Sequence, residues 1–416
     1  MHSVLTHAGR IALALLTVMA TSARSAPVGV PQSASSTPSV RAAAERLHRD
    51  GVTFRRADGT VFKWHGITAF TALQDWLDGR RDKLERYADR TQALGVNVWR
   101  VFGMWSVTGF DARRDGYLDG LRAFLTWARA RGLYIHLTLF TDQVDGSPVR
   151  LAPEAQDRLL RDVLAICRDV GSVFLEVSNE DWKNGNLAAR FDRSLFAGVL
   201  SSRSAPSEEQ FPDGPGPLLD FTAHHTPRDE GWMRQANDLV EVSRLGWTDR
   251  ETGRVWRPSE RPAVATEPTR ILEGTTAREH ADYFAIADLY GAGGTIHGGN
   301  RTSTAEHETN LQRCEYPATD SAADRAARDT LEAIAAVWRA GIPLDANAGH
   351  YTRGGLSDAP LTHDPAQALR IFCMLQGAQA TCVIVQGKPG WTPKPMNGWQ
   401  VVKRSGYEGN VVLLGR

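Results

Sequence analysis

Cysteine is scarce in this 416-residue chain: Cys167, Cys314, Cys373 and Cys382 are all there is, with no C-x-x-C or Cys/His ligand spacing. That excludes a zinc module. There is no excess of either charge, 48 basic residues facing 48 acidic ones, which argues against a nucleic-acid groove or a polybasic membrane footprint. The N-terminal apolar run, Ile11 to Ala20, is too short to span a bilayer, so no membrane insertion is expected. No internal repeat shows beyond a strand–helix period. What is present is length enough for a large core, 42% hydrophobic residues, and 12 tryptophans, a count that hints at flat apolar ligands.

His2, His7 and Arg10 precede that apolar run, and small residues follow it (Thr21-Ser22-Ala23, then Ser25-Ala26). This is the layout of a signal peptide over residues 1–26, with cleavage between Ala23 and Ala26. Residues 27–44 are rich in Pro, Ser and Ala and read as a flexible tether. A secreted or periplasmic protein is expected. In that oxidising compartment the cysteines allow up to two disulfides, with the pairing open.

Beyond the tether, Phe54 to Ile67 reads as a hairpin around Asp58-Gly59 that leads into a first strand ending near Ala69. Further strand-like runs are Val96–Phe102, Leu133–Phe140, Val173–Glu180, Leu195–Ser201, Leu218–His224, Pro262–Glu267 and Gly294–His297. Their spacing is near the 30-odd residues of a strand–helix unit, and eight such strands close a (β/α)₈ TIM barrel. Helix signals fall between them: Pro153 opening and Gly171 closing one, Leu118–Arg131 stopped by Gly132, a Thr276-x-x-Glu279 capping box, and Ala322–Ala340 stopped by Gly341. Ser202 to Pro217 lacks helical period and reads as a long loop. The barrel is thus expected over 45–341. A small β-rich appendage is expected over 342–416, with strands at Arg370–Gln376, Thr381–Gln386, Trp399–Arg404 and Asn410–Leu414.

Active groups of a parallel barrel sit at the C-terminal ends of its strands. Alternation along the fourth strand sends Val173, Leu175 and Val177 outward, and Phe174, Glu176, Ser178 and Glu180 inward. On the seventh, an outward Val264 would turn Ala263, Ala265 and Glu267 inward. Two glutamates, Glu180 and Glu267, then converge on one mouth, as glycoside cleavage requires: one protonates the leaving oxygen and the other attacks or activates water. Glu176, deeper in its strand, reads as a hydrogen-bonded core carboxylate. Arg100 points inward with Val98 and Phe102, where a guanidinium favours an ionised carboxylate. On the sixth strand His224 shares parity with Asp220 and Thr222, and His225 follows Leu219, Phe221 and Ala223 outward; His224 is therefore the candidate. His297 ends the eighth strand facing inward. His136 lies too deep for chemistry. Trp105, Trp182 and Trp232 each follow a strand end, where an indole can stack on a sugar face or serve as core filler.

These motifs carry a resemblance. Asp58-Gly-Thr-Val-Phe-Lys-Trp-His-Gly-Ile, Gly95-Val-Asn-Val-Trp-Arg-Val-Phe, Glu176-Val-Ser-Asn-Glu180 and Pro262-Ala-Val-Ala-Thr-Glu267 resemble the retaining glycoside hydrolases of clan A, such as family 5 cellulases and mannanases. The resemblance implies that Glu180 is the acid/base, Glu267 the nucleophile, Asn179 the donor to the sugar 2-hydroxyl, and Arg100 the arginine that keeps the nucleophile ionised. It implies an oligo- or polysaccharide substrate and no cofactor or metal. The chain departs from the pattern at Asp181, where a proline often stands. It departs again on strand six, which has the histidine but lacks the tyrosine two residues on, and at Thr295-Ile-His297, where a tryptophan is usual. A catalytically silent glycan-binding barrel is the alternative from another class. A metal-dependent barrel would need His-x-His on strand one, where Trp64-His65-Gly66-Ile67 stands.

Overall fold

The computed structural model describes residues 43–181, 183–185, 187–205, 219–225, 259–268, 275–298 and 310–341, several isolated positions between them, and the strands of a C-terminal sheet. The expected signal peptide and nearly all of the tether lie outside the described residues, as do most of the loop expected at 202–217 and Trp182 and Trp232. Ala44, assigned to the tether, is buried, and its N–H donates to the Arg129 carbonyl at 2.9 Å.

Eight parallel strands form the barrel: His65–Thr68, Val98–Phe102, Tyr134–Phe140, Val173–Ser178, Leu200–Ala205 interrupted at Arg203, Thr222–His224, Ala263–Ala265 and Gly293–Ile296. Strand five closes the ring by changing partner. Its first half, Leu200–Ser202, pairs with strand four, and its second half, Ser204–Ala205, pairs with strand six. The expected Leu195–Ser201 lies too early: Leu195 and Phe196 belong to a 3₁₀ turn whose Phe196 is buried in the core, and that burial is what made the run look like a strand. Strand eight meets strand one at a tight seam. A Cβ on Gly66 would lie 2.6 Å from Thr295 Oγ1; away from that seam, one on Gly294 would lie 2.5 Å from the ring of Phe284, on the helix Ala277–Tyr290.

Helices Tyr117–Ala130, Pro153–Val170, Ala277–Tyr290 and Ala322–Ala340 stand where their start and stop residues placed them. In the capping box Thr276 accepts the Glu279 N–H while Glu279 accepts the Thr276 N–H at 2.9 Å, satisfying two donors a helix start leaves open. Trp99, Leu121, Phe124, Leu164 and Leu175 are fully buried between helices and strands, each such side chain contributing about 1.5–3 kcal/mol. Among the described residues, no helix is long and apolar enough to cross a membrane.

Inside the ring the filling is layered. A three-stranded antiparallel sheet, His48–Asp50, Thr53–Arg55 and Val61–Phe62, carries Phe54 and Phe62 into an aromatic plug with Trp64, Tyr134, Phe174 and Phe221. Phe54 meets Phe174 edge-on at 5.0 Å and Phe221 at 5.4 Å. Above this plug the interior turns polar, and there the candidate site begins.

After the barrel a five-stranded antiparallel sheet runs in the order His350–Arg353, Arg370–Gln376, Gln379–Val385, Val411–Gly415, Gln400–Ser405. Four of these match the expected strands, and His350–Arg353 adds a fifth. Cys373 and Cys382 are register partners across adjacent strands. Cys167 and Cys314 are buried free thiols, so they form no disulfide.

Candidate active site

Arg100 organises the mouth. Strand two turns its side chain inward above Val98, and it is completely buried. Nε donates to Glu176 Oε2 at 3.1 Å and Nη2 to Glu176 Oε1 at 3.0 Å, a two-pronged grip on the carboxylate below. Nη1 donates to Glu267 Oε1 at 2.6 Å, and Nη2 also donates to Asn179 Oδ1 at 2.8 Å. One guanidinium therefore joins strand two to the ends of strands four and seven. Buried beneath these acceptors, Arg100 positions the groups at the mouth.

Glu176 is the anchor of that guanidinium. It also accepts the Thr138 hydroxyl at 3.0 Å and has His136 Nε2 at 3.2 Å. Burial pushes its carboxyl up, but the Arg100 charge and the Arg100 hydrogen bonds outweigh it and hold the group below its ordinary range. The core reading of Glu176 and His136 fits this environment. Burial, helped by the Arg100 charge and opposed by Glu176, drives His136 down to about 3, so the ring is neutral.

The Arg100 contact also orients the Asn179 amide. With Oδ1 occupied as acceptor, the Nδ2 hydrogens are the face left to point elsewhere. Glu180 follows strand four at the rim, half-buried, with φ of +44° and Oε1 at 2.6 Å from Lys183 Nζ. Asp181, where the related pattern often has proline, is buried and ties down its loop: its Oδ1 accepts the Ala188 N–H at 2.9 Å, and Arg203 lies 3.4 Å from Oδ2.

Two parity assignments are corrected. Val264 points into the barrel with Trp64 and Phe221, while Ala263 and Ala265 face the helices. Glu267 reaches the mouth because the chain leaves the strand after Ala265, and it meets Arg100 there. On strand six Phe221 and Ala223 are the inward set, so His225 and not His224 faces the site. His225 Nε2 lies 3.8 Å from Glu267 Oε1. Burial lowers its pKa, Glu267 and Glu180 oppose that shift and Arg100 adds to it, which puts both rim glutamates within electrostatic reach of one imidazole. His224 is fully buried, and among the described residues neither ring nitrogen meets a hydrogen-bond partner. Burial first, and then His225, takes it down to about 3. His297 does face the site, with Nε2 4.0 Å from Glu267 Oε2. Trp105 stands half-buried on the rim, edge-on to Phe70 and Phe102 at 5.7 Å each. Among the described residues, no group of three potential ligands is placed to hold a metal.

The buried histidines set a pH response. In the folded chain His136 and His224 protonate only near 3 and His280 near 4, whereas an unfolded histidine protonates near 6.5. Their folded pKa values are depressed, so the stability they contribute is present above pH 6.5 and is lost as pH falls toward 4. Unfolding near pH 5 should therefore take up about three protons. Urea midpoints measured from pH 7 to 5 should fall steadily, and His280→Gln should reduce the slope by about one proton; a flat profile would contradict the neutral assignments.

The fold has counterparts among solved structures. One glycoside hydrolase superposes with a TM-score of 0.55 at 14% identity, over 89% of this chain and 96% of that one. A family 5 glycoside hydrolase from Bacteroides vulgatus ATCC 8482 gives 0.55 at 15% identity, over 90% and 94%. Those shares exceed what residues 1–341 supply, so the likeness extends beyond Gly341. No protein-family model matches the chain and no curated protein matches it by sequence; the likeness is one of fold.

Proposed function

We propose that the chain is an exported retaining glycoside hydrolase acting on an oligo- or polysaccharide, with Glu267 as nucleophile and Glu180 as acid/base. The observation that carries this is the Arg100 clamp, which holds Glu267 at 2.6 Å and, through Asn179, the residue next to Glu180. The names of the two structural neighbours agree with it.

In the first step a Glu267 oxygen bonds to the anomeric carbon as the glycosidic C–O bond breaks, and the departing oxygen takes the Glu180 proton. In the second, Glu180 removes a proton from water, whose oxygen displaces Glu267 and releases the sugar. Arg100 favours the anionic nucleophile and directs the Asn179 Nδ2 donor toward the sugar 2-hydroxyl. As substrate enters, Glu180 leaves its Lys183 ion pair and takes up a proton from solvent, which it then donates to the glycosidic oxygen, and Trp105 offers an apolar wall. His225 and His297 flank Glu267 and shape the subsite for the sugar it attacks.

The test is a panel of aryl glycosides and plant and microbial polysaccharides, with product sizing, run on the protein exported by its host. Hydrolysis of at least one substrate is expected, by a mature chain beginning between Arg24 and Pro27. Glycan binding without turnover across the panel would favour the silent barrel, and an intact Met1 would overturn export.

A further inference from the structure

Glu180 occupies backbone space that L side chains seldom adopt, φ +44° one residue beyond Asn179. A non-glycine residue there costs about 1–3 kcal/mol and persists only where its surroundings over-determine it. The determining contact comes from strand five. Ser204 Oγ accepts the Glu180 N–H at 2.8 Å, the Ser204 carbonyl accepts the Asp181 N–H at 3.0 Å, and Ser204 Oγ donates to the Ser178 carbonyl at 3.4 Å.

Ser204 can do this because strand five is interrupted at Arg203. Its backbone is in register with Ala223 of strand six, yet its hydroxyl and carbonyl serve the end of strand four. The residue is fully buried, so water cannot readily replace the hydroxyl. From the other side of the turn the Asn184 N–H donates to the Glu180 carbonyl at 3.3 Å.

We infer that Ser204 is a positioning residue that fixes the backbone of Glu180 and thereby aims its carboxyl at the glycosidic oxygen. The inference rests on the acid/base reading of Glu180. Without the hydroxyl, the Glu180 N–H loses its acceptor, and the backbone is free to relax toward negative φ and swing the carboxyl away. A misplacement of about 1 Å costs on the order of 100-fold in a step that needs the group. Activated leaving groups depart without proton donation, so the loss should depend on the leaving group.

The experiment compares wild type, Ser204→Ala, Ser204→Thr and Glu180→Ala on a substrate found in the panel and on its dinitrophenyl glycoside, with thermal melts on each variant. Ser204→Ala should lose about 10- to 100-fold in kcat/KM on the unactivated substrate and about threefold or less on the activated one. Ser204→Thr, which keeps the hydroxyl, should recover most of the loss. Should the alanine variant fold poorly, Ser204→Cys keeps the volume with a poor acceptor and reads the same split. Equal losses on both substrates, or none, while Glu180→Ala discriminates between them, would overturn the role of Ser204 and leave the acid/base reading standing. If Glu180→Ala does not discriminate either, the acid/base reading falls and the Ser204 inference with it.

Discussion

Glu267→Gln should abolish turnover of every substrate, by about 10⁴-fold or more, because no glycosyl-enzyme can form without the attacking oxygen. Glu180→Ala should behave differently. It should retain the first step on activated aryl glycosides, lose about 10²- to 10⁴-fold on poor leaving groups, and regain turnover with azide, a nucleophile that needs no base. The glycosyl azide so formed should keep the substrate's anomeric configuration. Retained glycosyl azide from the variant at 267, together with inverted glycosyl azide from the variant at 180, would reverse the two roles. The two environments differ in exposure: Glu267 is buried against a guanidinium, whereas Glu180 sits more openly on the rim beside a lysine.

Arg100→Met should be nearly as damaging, for stability as well as rate. Arg100 balances Glu176 and Glu267 and accounts for four polar contacts in a buried layer. Removing one partner of a buried ion pair costs about 3–5 kcal/mol, because the other charge stays buried without compensation. In the fraction that folds, kcat/KM should fall by roughly one to three powers of ten, and the acidic limb of the pH–rate profile should move to higher pH. Arg100→Lys keeps the charge but not the two-pronged geometry, so it should recover stability more than activity. An unchanged profile and melting temperature in Arg100→Met would remove Arg100 from the mechanism.

Much of the scaffold is legible because its signals are local. Pro153 and Gly171 bracket one helix, Thr276 and Glu279 cap another, and Gly341 stops the last. Strand facing is legible only where a polar residue marks the interior: Glu176 on strand four and Arg100 on strand two give the inward set directly. Strand seven carries no such mark, and on strand six the polar Thr222 and His224 stand on the outward face. Barrel strands are buried on both faces, so an apolar side chain does not tell helix side from interior. Phe221, Ala223 and Val264 face inward because the N-terminal hairpin sends Phe54 and Phe62 up into the barrel, a contact between distant segments that periodicity cannot carry. For that reason alternation points to His224 where His225 faces the site, and it brings Glu267 to the mouth by the wrong parity. The Ser204 contact leaves no mark in the sequence either, since it depends on strand five switching partners at Arg203.

The most direct measurement is ¹H NMR of the first sugar released, recorded before mutarotation, on any aryl glycoside the protein turns over. Two displacements at one carbon, the first by Glu267, predict that the initial product has the same anomeric configuration as the substrate. An initial product of inverted configuration would mean that water attacks the sugar directly, and would contradict a covalent nucleophile at Glu267.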